Sequence, residues 1–129
     1  MELLHKKLTD RILKVYFEVY NELGYGFLEK VYQNALFLEL KNKGFIVEAQ
    51  KQIKVFYKGR NVGEYYADLI VDDTIILELK AAEVLVKNFE YQLINYLRAT
   101  DKEVGLLLNF GPQPEFRRKV FSNDRKNLS

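Results

Sequence analysis

Two apolar runs between Tyr66 and Lys80 carry ionisable side chains in their interior, and few folds tolerate that. The segment reads Tyr66-Ala67-Asp68-Leu69-Ile70-Val71-Asp72-Asp73-Thr74-Ile75-Ile76-Leu77-Glu78-Leu79-Lys80. The polar Asp72-Asp73-Thr74 between the runs is a turn signal, so the pattern predicts a β-hairpin. Burying an unpaired charge costs several kcal/mol or more. Asp68, Glu78 and Lys80 must therefore face water or share a counter-ion such as a metal. Such a hairpin carries a site rather than only a core.

The pleat sharpens this expectation. Side chains alternate faces along a strand, so Glu78 and Lys80 project to one side, roughly 6–7 Å apart along it. Ile75, Leu77 and Leu79 then face the other side. Directly opposed hairpin residues share a face, and a slip of one residue reverses the relation. A three-residue loop at Asp72-Asp73-Thr74 pairs Val71 with Ile75 and, counting outward, Asp68 with Glu78. A two-residue loop would oppose Asp68 to Leu77 and part the acids. The expectation is thus an odd-numbered loop, or a bulge with the same effect. Adjacent carboxylates repel, so a cation belongs between them, Lys80 giving part of the charge and a divalent metal the rest. The plainer alternative is a surface ion-pair set on an exposed sheet face.

Composition narrows the classes. With 129 residues and 15.2 kDa the chain is expected to form one domain over 1–129. A hydrophobic fraction of 48%, with 14% aromatic, suits a packed core and argues against disorder. The formal net charge of +2 neither demands nor excludes nucleic acid. There is no cysteine, hence no disulfide, thiolate metal site or thiol nucleophile. Met1-Glu2-Leu3-Leu4-His5 lacks a signal-peptide core, and no apolar run reaches membrane-span length, so a cytoplasmic protein without a membrane partner is expected.

Along the chain, Leu8, Ile12, Val15, Val19 and Leu23 recur at helical spacing and predict a helix from about Leu3 to Leu23. Gly24-Tyr25-Gly26 ends it. A second helix is predicted from about Phe27 to Lys43, with Leu28, Val31, Ala35, Leu38 and Phe37 toward the core. Strand composition follows over Phe45 to Tyr57, a turn at Lys58-Gly59-Arg60-Asn61, then strands at about Val62–Val71 and Ile75–Ala81. A third helix is expected over Val86 to Ala99, with Phe89, Leu93, Tyr96 and Leu97 on related turns. Glu103–Phe110 is a buried strand, Arg117–Phe121 a candidate edge strand, and the polar tail beyond is expected to fray.

That order, with an acid on the second helix and Asp…Glu-x-Lys on the middle strands, resembles the PD-(D/E)xK nuclease superfamily. The resemblance implies an α/β fold with a mixed α+β sheet, the restriction-endonuclease-like αβββαβ core, here with an extra N-terminal helix. A narrower likeness rests on Gly26-Phe27-Leu28-Glu29-Lys30-Val31-Tyr32, a literal G-x-x-E-x-x-Y. With Tyr57-Lys58-Gly59, Ala67-Asp68-Leu69-Ile70-Val71, Glu78-Leu79-Lys80-Ala81, Gln92-Leu93-Ile94-Asn95-Tyr96-Leu97 and Val104-Gly105-Leu106-Leu107-Leu108-Asn109-Phe110-Gly111, it resembles the GxxExxY proteins of that superfamily.

The resemblance implies roles. Asp68 and Glu78 correspond to metal-ligating carboxylates, joined by the backbone carbonyl of Leu79. Lys80 corresponds to the group that orients or deprotonates the attacking water, and Glu29 to the helical acid completing the metal shell. Gln92 and Tyr96 resemble a substrate-contacting Gln-x-x-x-Tyr element, and Tyr32 is a further substrate-side candidate. Ala67 stands where the superfamily's name has proline, Tyr25 where a proline often lies between the two glycines, and Phe89 where relatives often carry histidine.

The chemistry implied is phosphodiester hydrolysis of nucleic acid, DNA expected, with Mg²⁺ as cofactor and Mn²⁺ as substitute. The oxygen donors suit it, and His5, the only histidine, lies far from the acids in sequence, which disfavours zinc. Other readings stay open: Glu29 as a helix-start acid, Tyr32 as core, Gln92 and Tyr96 as ordinary amphipathic-helix residues. Lys51, Lys54, Lys58 and Arg60, and Arg117, Arg118 and Lys119, form basic groups that would hold phosphates if they flank the acids. No zinc finger, helix-turn-helix or aromatic stacking ladder is legible, so base reading is not expected. A chain this short leaves little surface for a clamp, so a homodimer is expected to supply a second arm. The alternative function is a catalytically silent nucleic-acid-binding or assembly module that keeps the fold. A small-molecule enzyme has no supporting motif.

Overall fold

The core of the molecule is a sheet whose five strands lie in chain order, a consequence of hairpin connections on both sides of one crossover. The computed structural model describes residues 3–126. Its elements are α1 (Lys6–Leu23), α2 (Glu29–Asn42), β1 (Val47–Tyr57), β2 (Arg60–Val71), β3 (Ile75–Lys80), α3 (Lys87–Arg98), β4 (Val104–Phe110) and β5 (Pro114–Val120), then a short 3₁₀ turn at Asn123–Arg125. The order in the sheet is β1-β2-β3-β4-β5. Only β3 and β4 are parallel, and a parallel pair needs a long crossover, which α3 provides. This is the αβββαβ arrangement of a mixed sheet with flanking helices, preceded by the extra helix α1. No helix among the described residues is long and apolar enough to cross a membrane. Met1 and Glu2, and the last residues of the tail expected to fray, lie outside the described residues.

Both faces of the sheet are covered, so its central strands are apolar on both sides. Leu69, Val71, Ile75, Leu77 and Leu79 join α1 and α2 in one core cluster. Ile70, Ile76 and Leu107 join Leu93, Tyr96 and Leu97 of α3 in another. The alternation at Ile75, Ile76, Leu77 and Leu79 is that of a strand buried on both faces. Glu78 and Lys80 share the parity of Ile76 and so belong to the α3 face.

The predicted hairpin loop is the one observed: Val71 pairs with Ile75, Ile70 with Ile76 and Leu69 with Leu77, across Asp72-Asp73-Thr74. Asp72 and Asp73 take positive φ values of 52° and 51°. Asp72 Oδ1 accepts from the Ile46 amide at 2.9 Å, and the Thr74 hydroxyl donates to the Asp72 carbonyl at 2.7 Å. At the far end, Tyr57 pairs with Arg60 across Lys58-Gly59, both with positive φ, a two-residue turn that suits the twist of long strands.

Other expectations shift. The first helix starts at Lys6 rather than Leu3, because His5 has a left-handed φ of 56° that cannot continue a helix. The core face of α2 is also rotated from the expected one. Leu28 is 80% exposed, and Val31 and Leu38 are exposed too, while Tyr32, Gln33, Leu36 and Leu40 are buried. Apolar residues lie all round this helix, so spacing alone selects no face; packing of Tyr32 on Phe110, ring centroids 4.3 Å apart, selects it. Ala35 and Phe37 pack against the core as expected.

The end of β4 is tied down by buried polar groups. The Asn109 side chain accepts from the Ala82 amide at 3.0 Å and donates to the Ala82 carbonyl at 2.9 Å, anchoring the segment that follows Lys80. The Tyr16 hydroxyl donates to the Asn109 carbonyl and accepts from the Glu115 amide at 2.9 Å. A Cβ on Gly105 would lie 2.6 Å from Leu93 Cδ1, so α3 sits directly on this glycine. We expect Gly105→Ala to cost about 1–3 kcal/mol by overpacking. Gly63→Ala, whose Cβ would meet nothing nearer than 3.9 Å, should cost less. Urea unfolding of the two variants checks the difference.

Candidate active site

β2 pairs with β3 only from Leu69 to Val71, whereas β3 pairs with β4 along its whole length, Ile75 to Lys80. The two strands therefore fork where Asp68 stands opposite Glu78. A fork leaves backbone amides without ladder partners, and buried amides need partners. The acids supply them reciprocally. The Asp68 amide donates to Glu78 Oε1 at 3.1 Å, and the Leu79 amide donates to Asp68 Oδ2 at 2.8 Å. Each carboxyl thus caps the opposite strand.

β2 also turns over at this point. Ala67 and Leu69 would share a face in a flat strand, yet they join different core clusters. Between their partners Lys51 and Ala49 lies Gln50, with a left-handed φ of 53°. The outer half of the β1–β2 hairpin, from here to Lys58-Gly59, forms an arm that leans toward α3, with Ile53 and Ala67 in the α3 cluster.

Glu78 is only 5% exposed. Burial, then the negative charge of Asp68, push its carboxyl up to about 8 from the ordinary 4.5. Asp68 is pushed up as well, chiefly by burial, against the Leu79 amide bond and the positive charges of Lys80 and Lys30. Glu29 is exposed and opens α2, whose buried face packs on the other side of the sheet. It is close enough to feel Lys80 and Asp68, and its carboxyl is raised, mainly by desolvation. The Lys80 ammonium stands 4.7 Å from the centroid of the Phe89 ring and makes no ion pair among the described residues.

A family model of the PD-(D/E)XK nuclease superfamily matches residues 6–119. The chain belongs to that superfamily. A solved structure described as the crystal structure of SSO0001 is similar in fold, with a TM-score of 0.57 and 19% identity. The likeness covers 72% of this chain and 50% of that one, so this chain spans about half the length of its structural counterpart. No curated protein shows a significant match to the sequence.

Asp68 and Glu78 meet across the two strands, as the odd-numbered loop implies. The expected convergence of three acids differs from what is observed. Among the described residues no group of three or more His, Cys, Asp or Glu side chains is arranged to hold a metal. Asp68 and Glu78 are fixed to the strands by amide bonds, whereas Glu29 is an exposed residue at the start of α2. The donor set nonetheless fits a hard divalent cation. Two abutting, half-desolvated carboxyls that repel one another are what such an ion relieves, and Mg²⁺ commonly uses one or two carboxylates with waters.

Of the two readings open for Tyr32, the structure has the core one. It is fully buried, stacked on Phe110, and its hydroxyl donates to the Gly24 carbonyl at 2.6 Å while accepting from the Phe27 amide at 3.1 Å. It fixes the turn that presents Glu29. Gln92 and Tyr96 do act together: Gln92 Nε2 donates to the Tyr96 hydroxyl at 2.7 Å. Tyr96 feels the charges of Glu78 and Asp68, which help raise its hydroxyl after desolvation. Of the basic groups, Lys51 pairs with Glu48, Arg117 with Glu115 and Lys119 with Glu90.

Sequence reasoning missed Gln33 and Lys30. Buried Gln33 donates to the Asp68 carbonyl at 3.4 Å, linking α2 to the fork, and Lys30 offsets the charge of Asp68. A cavity of about 780 Å³ between α3 and the arm was missed as well; Tyr96 and Gln92 line it beside Tyr65 and Tyr91. Their signal is scattered through the sequence and becomes a site only in three dimensions.

The raised carboxyl of Glu78 has a pH consequence. Between about 4.5 and 8 the folded chain retains a proton that the unfolded chain has released, so stability falls as pH rises through that window. Below it the penalty is absent. In chelator, unfolding free energies from denaturant titration should decline from acid to mildly alkaline pH, by a few kcal/mol at most, and Glu78→Gln should flatten the decline.

Proposed function

We propose that this chain is a metal-dependent nuclease that hydrolyses phosphodiester bonds of nucleic acid, DNA foremost, using Mg²⁺ with Mn²⁺ as substitute. The observation that carries the reading is the forked pair, Asp68 and Glu78, held carboxyl to amide across two strands with Lys80 on the same face. Asp68, Glu78 and the Leu79 carbonyl would hold the ion, and Glu29 would reach it directly or through water. Bound there, the ion supplies charge for the phosphoryl oxygens and a water of lowered pKa. Lys80 orients the attacking water and offsets phosphate charge. Phe89 beneath it positions the ammonium by a cation–π contact. Gln92 and Tyr96 contact the substrate beside the acids. The G-x-x-E-x-x-Y stretch and its accompanying motifs support placement among the GxxExxY proteins, and the chain acts as one domain.

A second reading is favoured by one observation: among the described residues no three acids stand together as a ready cluster. In it the chain is a catalytically silent nucleic-acid-binding or assembly module. The two readings part in a cleavage assay on rigorously purified protein. Catalysis predicts Mg²⁺-dependent cutting of labelled DNA that falls at least about 100-fold in Glu78→Ala and in Lys80→Ala. Equal cutting by both variants would assign the activity to a contaminant or another site. Salt-dependent binding without turnover in Mg²⁺ or Mn²⁺ would establish the silent module.

A further inference from the structure

The cavity between α3 and the β1–β2 arm is large relative to the chain, and its walls have a particular chemistry. Four aromatic residues line it: Phe56 and Tyr65 from the arm, Tyr91 and Tyr96 from α3. Tyr65 and Tyr96 are 5.5 Å apart at their centroids, so one ring of the pair is held by a buried neighbour. Phe56, Tyr65 and Tyr91 are 47%, 49% and 57% exposed, offering ring surface that nothing in the chain covers among the described residues. Between the rings stand the carboxamides of Asn88, Gln92 and Asn95, each both donor and acceptor.

Charge argues against a phosphate channel here. The charged residues of the wall are Arg98 and Asp101, of opposite sign, and the Arg98 guanidinium already sits 4.8 Å from the Phe121 ring centroid. An occupant would therefore enter by its faces and polar edges rather than by its charge. Flat rings edged with hydrogen-bonding groups are the chemistry of a nucleobase. In a duplex those faces are hidden in the stack, so only an unpaired strand can present them.

The cavity also adjoins the forked acids. Tyr65 lies three residues before Asp68 on β2, about 10 Å along an extended chain. Tyr96 and Ala67 belong to one buried cluster, and Tyr96 feels the charges of Glu78 and Asp68. Outside the cavity, exposed Lys58 and Arg60 at the tip of the arm can meet the backbone of a strand that runs along it.

We propose that this groove holds unpaired bases of a single-stranded nucleic acid, stacked on Tyr65 and Tyr91, and so leads the strand to Asp68 and Glu78. This deepens the nuclease reading and rests on it. The groove makes the chain selective for single strands, or for unpaired ends and flaps, over continuous duplex.

The test measures fluorescence anisotropy of short labelled single-stranded and duplex oligonucleotides of one sequence, in chelator and again in Ca²⁺, with cleavage assayed separately in Mg²⁺. The single strand should bind more tightly than the duplex in at least one of the two binding conditions. Tyr65→Ala and Tyr91→Ala should each weaken single-strand binding about tenfold and leave duplex binding unchanged, and the Phe variants should bind as the wild type does. Tyr91 is well exposed, so its variant is expected to fold. A duplex preference in both conditions, or Ala variants that bind single strands undiminished, would overturn the groove. Phe variants as weak as Ala variants would overturn it too. If Glu78-dependent cleavage survives any of those three results, the groove alone has failed. If the single-strand preference and its tyrosine dependence stand while no Mg²⁺-dependent cleavage is found, the catalytic reading has failed and the groove holds.

Discussion

Two strands of this sheet part company in the middle of the molecule, and the parting is stabilised by exchange of side-chain for backbone hydrogen bonds. Asp68 takes the Leu79 amide and Glu78 takes the Asp68 amide, where continued pairing of β2 and β3 would have used backbone carbonyls. An unpartnered buried amide costs on the order of 1–3 kcal/mol, so each carboxyl has a structural duty as well as a chemical one. The geometry forces two like-charged groups together in a half-desolvated place. Burial then outweighs the amide bonds that favour the ionised forms, and at Glu78 the negative charge of Asp68 adds to it. Charge strain is fixed at one spot by the need to satisfy the backbone.

The surrounding elements hold that spot in place from several directions. Gln50, opposite Asp68, adopts a left-handed backbone that turns the hairpin over and sends its outer half toward α3. Gln33 reaches from α2 to the Asp68 carbonyl. Tyr32, deep in the core, ties the glycine turn from which Glu29 emerges. Asn109 clamps the segment after Lys80 through both polar groups of Ala82, and a Cβ on Gly111 would strike that same Ala82 carbonyl at 2.4 Å. Gly105 lets Leu93 settle against β4, which sets the height of α3 over the acids. Motifs spread along the sequence thus serve one small region.

The division between acids and aromatics gives the proposed activity its logic. The fork brings together two carboxyls whose joint ionisation is costly without a cation, and a bound cation would make the place hospitable to phosphate. The adjoining groove is nearly neutral and lined by rings, suited to the bases. Phosphate and base would thus be received by different surfaces, which allows chemistry on a backbone without recognition of sequence. Phe89 under Lys80 adds a local detail: it holds the ammonium near the acids without neutralising it by an ion pair.

Much of the fold was legible because its signals are local. The loop Asp72-Asp73-Thr74 was legible from its polar residues, and its odd length from the requirement that Asp68 and Glu78 share a face; the observed pairing of Val71 with Ile75 has that length. The stop at Gly24 and the buried strand ending at Phe110 followed from local signals as well. The buried face of α2 did not, because apolar residues surround that helix and the choice belongs to Phe110, far away in sequence. Tyr32 became a core residue for the same reason. The distance of Glu29 from the acid pair depends on which face α2 covers, and the groove depends on an arm bending toward α3 about Gln50. Spacing along one chain segment determined which acids meet; packing between segments decided what stands around them, because contacts distant in sequence leave no period to read.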